Sequence, residues 1–230
     1  MQYYMYKDKY LKYKTKYLEL KNNYMYNMEG GSPDLIIHIS GPSGAGKTTL
    51  GNKLKTKYND KIIVKDIDDL RSEFMKEHYG NKEWDVIDKD AYQQYIDNFI
   101  NKQDKPLIFV GLNHMPWWHP DLYYDMHSTH KFYIDISNEN VIKQKCIRYL
   151  NKLSTKLESD KAIMNDLINN NEEFIRKIND RIKQECDAKE PIKLNEKWNK
   201  DYKNQDYIIL PSEKIYDKVC KILNKKLKEN

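Results

Sequence analysis

The fold of this chain is decided by residues 35–49, which read Leu35-Ile36-Ile37-His38-Ile39-Ser40-Gly41-Pro42-Ser43-Gly44-Ala45-Gly46-Lys47-Thr48-Thr49. The first six residues are a short apolar run of the buried-strand type, and the next eight fit G-x-x-x-x-G-K-[ST] at every fixed position. Glycines let such a backbone curl until successive N–H groups point inward, where they can bind an anion. A helix that starts near Lys47 adds the positive end of its dipole. The stretch therefore predicts a strand, a phosphate-binding loop and a helix in succession.

The same motif predicts the ligands of the loop. Lys47 would reach the β- and γ-phosphates of a nucleoside triphosphate, for which we expect ATP, and the Thr48 hydroxyl would ligate Mg²⁺. Lys47 is accordingly the first predicted catalytic residue. The predicted nucleotide-binding residues are Gly41, Pro42, Ser43, Gly44, Ala45, Gly46, Lys47, Thr48 and Thr49.

Outside this stretch, apolar strand-like runs alternate with helical patterns. Strands are expected at 35–40, 61–65, 106–110, 131–136 and 207–210, and helices at 47–58, 70–78, 91–101, 141–150 and 213–227. Alternation of this kind indicates a mainly parallel sheet with helices on both faces. Residues 34–229 are therefore predicted to form one α/β domain, a three-layer α/β/α sandwich of the P-loop type around five strands.

The composition limits the partners without choosing one. The chain of 230 residues carries 40 Lys and Arg against 35 Asp and Glu, a net charge of +5. This mild positive field would favour nucleotides, nucleic acid or other anionic surfaces. No apolar run approaches the roughly 18 residues needed to cross a bilayer, so we expect a soluble intracellular protein with no transmembrane segment. The cysteines Cys146, Cys186 and Cys220 lie far apart without CxxC spacing, which predicts free thiols in a reducing compartment.

Residues 1–29 differ from the rest of the chain. Apolar and aromatic residues recur there at alternating spacings of three and four, which predicts an amphipathic helix. They are Tyr3, Tyr6, Tyr10, Tyr13, Tyr17, Leu20 and Tyr24. Three roles stay open for this helix: packing on its own domain, self-association or docking to a partner, and binding to a membrane or nucleic acid. Residues 30–33 (GGSP) form a linker.

The tract KYLKYKTKYLELK at residues 9–21 resembles N-terminal segments of proteins from giant DNA viruses of the mimivirus group. That resemblance implies a viral origin, and with it a location in the host cytoplasm or the viral factory. It implies no activity.

An acidic cluster follows the second predicted strand. Asp66, Asp68 and Asp69 should face the phosphate loop, because ligands of doubly wound sheets lie at the carboxyl ends of the strands. A carboxylate there can accept the proton of an attacking hydroxyl or help to hold the metal. The alternative is that Asp68 or Asp69 merely caps the following helix, and we expect one of the three aspartates to do so.

Residues 34–225 resemble the small-molecule and nucleoside monophosphate kinase branch of the P-loop superfamily. Asp66-x-Asp68 is similar to the Asp-x-Asp of shikimate and gluconate kinases, where the first carboxylate supports Mg²⁺ and the second meets the acceptor. Asp68-Asp69-Leu70-Arg71 equally resembles the Asp-x-x-Arg of polynucleotide 5′-hydroxyl kinases, with the Asp as base and the Arg on the acceptor's phosphate. Both resemblances imply that Asp68 is the general base and that Asp66, with Thr48, holds the metal. For Arg71 a pairing with Glu73 or with an Asp of the helix also stays open.

The sequence departs from these families after the third strand. Residues 110–113 read Val-Gly-Leu-Asn, without the Asp of a Walker B strand or the glycine triplet of shikimate kinases. Metal support would then come from Asp66 and water. The aromatic and histidine-rich loop that follows, from His114 to His130, would either cover the site or select the acceptor. Asn113 and Trp117 are the acceptor-binding candidates from this region.

The polar region 151–206 is predicted to be a helical lid, with Ile175, Ile178 and Ile182 as its buried stripe. The arginines Arg148, Arg176 and Arg181 are candidates to close over the transferring phosphate, because planar forked donors match phosphate oxygens. Arg148 is favoured by its position relative to the kinase families.

Three functional hypotheses follow. The first is an ATP- and Mg²⁺-dependent kinase for a small acceptor such as a nucleoside, nucleotide or polyol. The second is a 5′-hydroxyl kinase of DNA or RNA. The third is a non-catalytic ATP-binding module that the N-terminal helix recruits to an assembly.

Overall fold

The computed structural model describes residues 33–80, 88–114, 123–160, 165, 169, 171–186 and 189–229. The predicted N-terminal helix, most of the linker and Trp117 lie outside these residues. The expectations about them therefore stay predictions.

A single five-stranded sheet forms the centre of the described chain. Its strands are β1 (Ile36–Ser40), β2 (Ile63–Asp66), β3 (Leu107–Val110), β4 (His130–Ile134) and β5 (Ile208–Leu210). Their spatial order is β2-β3-β1-β4-β5, and every adjacent pair is parallel. The predicted five-stranded α/β sheet is confirmed, and it is parallel throughout. The later strands lie on both sides of β1, with β3 and β2 on one side and β4 and β5 on the other, so β1 borders the switch point at which such sheets place their ligands.

Seven α-helices connect and cover the strands within the described residues. They are α1 (Lys47–Tyr58), α2 (Ile67–Tyr79), α3 (Lys89–Asn101), α4 (Asn138–Ser159), α5 (Glu172–Glu185), α6 (Lys189–Asn204) and α7 (Ser212–Glu229). Helix α4 is longer than predicted and runs through residue 151, where the lid was expected to begin. The predicted lid therefore comprises the second half of α4 together with α5 and α6.

Successive side chains of each strand point to opposite faces of the sheet. Ile37 and Ile39 of β1 point into a core that α1 and α7 cover, whereas Ile36 of the same strand points into a core that α2 and α3 cover. Helix α6 extends the second layer, because its Tyr202 packs on Tyr133 of β4 with ring centroids 4.8 Å apart. Helices on both faces explain why the strands read as continuous apolar runs.

The lid helix α5 is held by few apolar contacts. Its predicted stripe of Ile175, Ile178 and Ile182 is half-buried rather than buried, and most of its other described side chains are exposed. A disulfide joins Cys186, at the end of α5, to Cys146 of α4. The prediction of free thiols was wrong for these two residues, because helix packing brings together positions 40 residues apart. Cys220 is free and buried.

None of the helices in the described part of the chain has the length and apolar character that a membrane span requires.

Candidate functional site

The candidate site is centred on the loop that joins β1 to α1. A backbone hydrogen bond from Ala45 N to Pro42 O (3.1 Å) tightens the loop, and one from Leu50 N to Gly46 O (2.8 Å) starts the helix. Gly46 caps α1 with a φ of 84°, a left-handed conformation that favours glycine. The free N–H groups of the first turn of α1 therefore face the carboxyl edge of the sheet.

Lys47 folds back over this loop. Its Nζ donates to Gly41 O at 2.7 Å and to Pro42 O at 2.8 Å. The pKa of Lys47 is lowered to about 8, mainly by burial and to a smaller extent by the nearby Arg148, while Asp68 and Asp66 partly offset the shift. A cation held so close to its deprotonation point would be stabilised strongly by an anion bound in the loop.

Thr48 and Asp66 meet beside the loop. The Thr48 hydroxyl donates to Asp66 Oδ2 at 3.2 Å, while Asp66 Oδ1 accepts from Asp68 N at 2.9 Å. Asp66 is therefore the N-cap of α2. The expectation that one of the three aspartates caps this helix is confirmed, and the cap is Asp66 rather than Asp68 or Asp69, because β2 ends at Asp66.

The Thr48–Asp66 pair fits a magnesium ion. Mg²⁺ prefers oxygen ligands and is usually held by one or two carboxylates together with water and substrate phosphates. A hydroxyl and a carboxylate oxygen 3.2 Å apart supply that donor set. No cluster of three or more His, Cys, Asp or Glu side chains that could hold a metal exists among the described residues, so an all-protein metal cage is not the arrangement found there.

Asp68 lies in the first turn of α2 with its carboxylate open to solvent. The side chain is 77% exposed, and its Oδ1 lies 3.3 Å from Arg71 Nη1. Its charge acts on Lys47, which places Asp68 in the same electrostatic environment as the loop. Asp69 is exposed next to it. Asp68 thus has what a general base needs, namely an accessible carboxylate beside the phosphate loop.

Arg71 is almost completely buried, with 8% of its surface exposed. Its Nη2 donates to Leu112 O at 3.4 Å and to His114 O at 3.2 Å, so the guanidinium supports the segment after β3. The alternative partner Glu73 pairs instead with Lys65, and Asp68 is the acidic partner of Arg71.

The side chain of Asn113 is also buried, and both of its polar groups form hydrogen bonds within the protein. Its Nδ2 donates to Tyr124 O at 2.7 Å, and its Oδ1 accepts from the Tyr202 hydroxyl at 2.9 Å. These contacts join the segment after β3 to α6. The structure thus places Asn113 beneath the edge of the site, and a direct contact with an acceptor stays a prediction.

His114 and Trp198 form an aromatic wall at this edge, with ring centroids 5.4 Å apart. Burial, followed by the charges of Arg71, Lys197 and Lys47, lowers the pKa of His114 to about 4, so the imidazole is neutral at pH 7. Trp198 was not among the predicted site residues. A tryptophan within the strongly polar lid region was the signal that could have identified it.

Arg148 of α4 contacts the phosphate loop directly. Its Nη1 donates to Ser43 Oγ at 2.7 Å. One turn earlier on the same helix, Gln144 packs so closely on Gly44 that a Cβ there would lie 2.7 Å from Gln144 Cβ. Arg176 and Arg181 are exposed on α5, where Arg181 donates to Gln184 at 3.0 Å.

The structure thus brings together the predicted residues Lys47, Thr48, Asp66, Asp68 and Arg148. An anion in the loop would meet backbone N–H groups, an ammonium and a guanidinium, with a hydroxyl and two carboxylates at its side. Such a set can hold a phosphate chain and a divalent cation and leaves one carboxylate for proton transfer.

No protein-family model matches the chain, and no curated protein matches it in sequence.

Proposed function

We propose that the chain is an ATP- and Mg²⁺-dependent phosphotransferase of the P-loop type, which moves the γ-phosphate to a small acceptor such as a nucleoside, nucleotide or polyol. The observation that carries the proposal is the 3.2 Å contact between Thr48 Oγ1 and Asp66 Oδ2. It joins the hydroxyl of the glycine-rich motif to a carboxylate of the next strand. A loop that served only as a tight turn would need no such pair.

Each residue of the site would have a distinct role in binding and transfer. The loop amides and Lys47 bind the phosphates, and Arg148 adds a second cation from α4. Thr48 and Asp66 would hold Mg²⁺, which when bound would neutralise negative charge on the phosphates. Asp68 receives the proton of the acceptor hydroxyl as that oxygen attacks the γ-phosphorus, and the bond from this phosphorus to the bridging oxygen of the β-phosphate breaks, so that ADP leaves. Positioning and electrostatic stabilisation supply most of the rate in phosphoryl transfer.

The segment after β3 and helix α6 are the proposed acceptor side. His114 and Trp198 offer a neutral ring and an indole there, which suits a base or a sugar. Arg71 holds this segment against α2, the helix that carries Asp68. We therefore assign to Arg71 a role in positioning the acceptor site.

A 5′-hydroxyl end of DNA or RNA is the second candidate acceptor. The pairing of Asp68 with Arg71 at 3.3 Å favours it, because a base and a phosphate-binding cation would then act side by side. The absence of an acidic residue after β3 keeps a third candidate, a nucleotide-binding assembly module without transfer activity.

The test is transfer from γ-labelled ATP with Mg²⁺ to a panel of nucleosides, nucleoside monophosphates, polyols, sugar acids and 5′-hydroxyl oligonucleotides. Asp68→Asn should lose transfer while its ATP affinity stays within about twofold, since general-base catalysis is worth about 10²–10⁴-fold. Asp69→Asn is the matched control and should behave like the unaltered protein. Lys47→Ala should lose both binding and transfer.

The acceptor that receives label names the substrate class. Label released only as free phosphate, or ATP bound without turnover, would overturn the phosphotransferase proposal in favour of the assembly module. Equal loss of transfer in the Asp68 and Asp69 variants would contradict the assignment of Asp68 as the general base.

A further inference from the structure

The disulfide between Cys146 and Cys186 lies next to the proposed phosphate site. Cys146 is on α4 between Gln144, which packs on Gly44, and Arg148, which donates to Ser43. The disulfide is thus two residues from each of the two side chains by which α4 contacts the phosphate loop.

The disulfide holds α4 from the side opposite the loop. Residues 144 and 148 share one face of the helix, whereas residue 146 is turned from them by about 200°, since an α-helix has about 3.6 residues per turn. Helix α4 therefore lies between the phosphate loop on one side and the end of α5 on the other. A shift of α5 away from α4 would remove the support behind Arg148.

Among the residues that the structure describes, little else fastens α5 to this position. Its apolar face consists of half-buried residues, namely Phe174, Ile175, Ile178 and Ile182, and the rest of its described side chains are mostly exposed. A helix with so little buried apolar surface gains little from packing. The covalent bond is therefore the strongest connection between the two helices.

We propose that the Cys146–Cys186 disulfide is a redox switch that sets the grip of Arg148 on the phosphate loop. A dithiol reductant attacks the disulfide through its thiolate; the two protein sulfurs are reduced to thiols, and the reductant leaves as its own disulfide. Reduction releases α5, loosens α4 and weakens the binding of phosphates. This inference rests on the proposed function for its effect on ATP, although its structural part does not.

The experiment uses the full chain, oxidised in air or reduced with dithiothreitol, and confirms the state of the cysteines by mass spectrometry. We expect the reduced protein to bind MgATP about ten- to a hundredfold more weakly, the size of one charge-assisted hydrogen bond, and to recover on treatment with oxidised glutathione. Hydrogen exchange at residues 141–150, measured without nucleotide, should rise on reduction.

Variants assign the effect to this pair of cysteines. Cys146→Ser and Cys186→Ser should each have the affinity of the reduced protein and no response to dithiothreitol. Cys220→Ser is the matched control, since Cys220 is free and buried in the core that α1 and α7 cover, and it should respond like the unaltered chain. Arg148→Ala should show the rise in exchange on reduction without a further loss of affinity.

The outcomes separate the two proposals. Affinity and exchange that are both unchanged after the disulfide is broken would overturn the switch and leave the proposed function standing. Failure to find the disulfide in the oxidised chain would also overturn the switch. Exchange that rises on reduction in a chain that binds no ATP in either state would support the structural coupling and overturn the proposed function.

Discussion

Arg148 and Ser43 are hydrogen-bonded at 2.7 Å although 105 residues separate them in the sequence. The contact joins α4 to the glycine-rich loop at residues 41–48, because α4 follows β4 and β4 is the neighbour of β1 in the sheet. The order of the strands therefore determines which helix can reach the loop. This strand order places α4, and with it the cation of Arg148, next to the loop.

Replacement of Arg148 by alanine is the first prediction. We expect the kcat/KM for ATP to fall about 10²-fold, the effect of removing one preorganised donor to a developing charge. Arg148→Lys should restore only part of the loss, because an ammonium lacks the planar fork of a guanidinium. Steady-state kinetics of both variants measure this.

Arg176→Ala is the matched control for Arg148, because Arg176 is exposed on α5. It should keep kcat/KM within about twofold, as expected of an exposed side chain. A large loss in Arg176→Ala together with normal activity in Arg148→Ala would show that a different arginine closes over the phosphate.

The lowered pKa of Lys47 predicts a pH dependence of ATP binding. Phosphate binding needs the protonated ammonium, and the free protein loses that proton as the pH rises through about 8. ATP affinity should therefore fall above pH 8 by about tenfold per pH unit, since one proton is linked to binding. Lys47→Arg keeps its charge over this range and should show no such fall. A parallel decline in both proteins would assign the pH effect to another group.

The same shift has the opposite sign for stability. Between pH 8 and the ordinary lysine value of 10.5, the unfolded chain binds more protons at this position than the folded chain does. The charge of Lys47 therefore costs stability below pH 8, and the cost fades as the pH rises. Lys47→Met should have a higher urea midpoint than the unaltered protein at pH 7, with a smaller difference at pH 10. A lower midpoint at pH 7 would contradict the buried position of the ammonium.

Substitutions of Asp66 should separate its role as the N-cap of α2 from its proposed role as a metal ligand. Asn caps helices as well as Asp does, so Asp66→Asn should change the free energy of unfolding by less than about 0.5 kcal/mol. It removes a charged metal ligand, however, and the half-saturating Mg²⁺ concentration should rise tenfold or more. Asp66→Ala should show the same rise in the half-saturating Mg²⁺ concentration and, in addition, lose about 1 kcal/mol of stability. Titration with Mg²⁺ and urea unfolding measure the two quantities.

Asp88 provides a control for the cap alone. It caps α3 by accepting from Asp90 N and Ala91 N. Asp88→Ala should cost about 1 kcal/mol of stability and leave the Mg²⁺ dependence unchanged. An Asp66→Asn protein with normal Mg²⁺ dependence would show that the carboxylate is only a cap.

Local patterns account for what the sequence analysis predicted correctly. Strand β1 and helix α1 were placed within one residue, because an apolar run, a glycine-rich loop and a helical pattern each depend on neighbouring residues. The alternation of strands and helices likewise required a parallel sheet with two covered faces. Thr48 and Asp66 could be brought together from the rule that strands of such a sheet end at one edge.

Features that depend on the packing of distant helices could not be predicted. Asn113 was assigned to the acceptor because it follows a strand, but α6 delivers Tyr202 to its Oδ1. Cys146 and Cys186 meet only because α5 returns alongside α4. The positions of α5 and α6 are not encoded in a local motif. The periodic residues Ile175, Ile178 and Ile182 mark an apolar face on α5 but do not say which helix that face packs against.

Gly111 sets the distance between β3 and α2, and its replacement is the last prediction. It has a φ of 139°, and a Cβ added there would lie 2.9 Å from Ile67 Cβ and 3.3 Å from Ile67 N. Ile67 is the first residue of α2, directly after Asp66.

Gly111→Ala should therefore push the start of α2 outward and move Asp66 and Asp68 away from the loop. We expect a loss of about 2–4 kcal/mol in the free energy of unfolding, from the disfavoured backbone conformation and the clash together, and a drop in transfer. Gly80→Ala is the matched control, because Gly80 also has a positive φ, 64°, but no atom of the described residues beyond its chain neighbours lies within 4 Å of its Cβ position. It should cost only about 1 kcal/mol and leave transfer intact. Urea unfolding and the label-transfer assay of the two variants decide the point. Equal stability losses in both would mean that the backbone conformation alone matters and that α2 does not press on the end of β3.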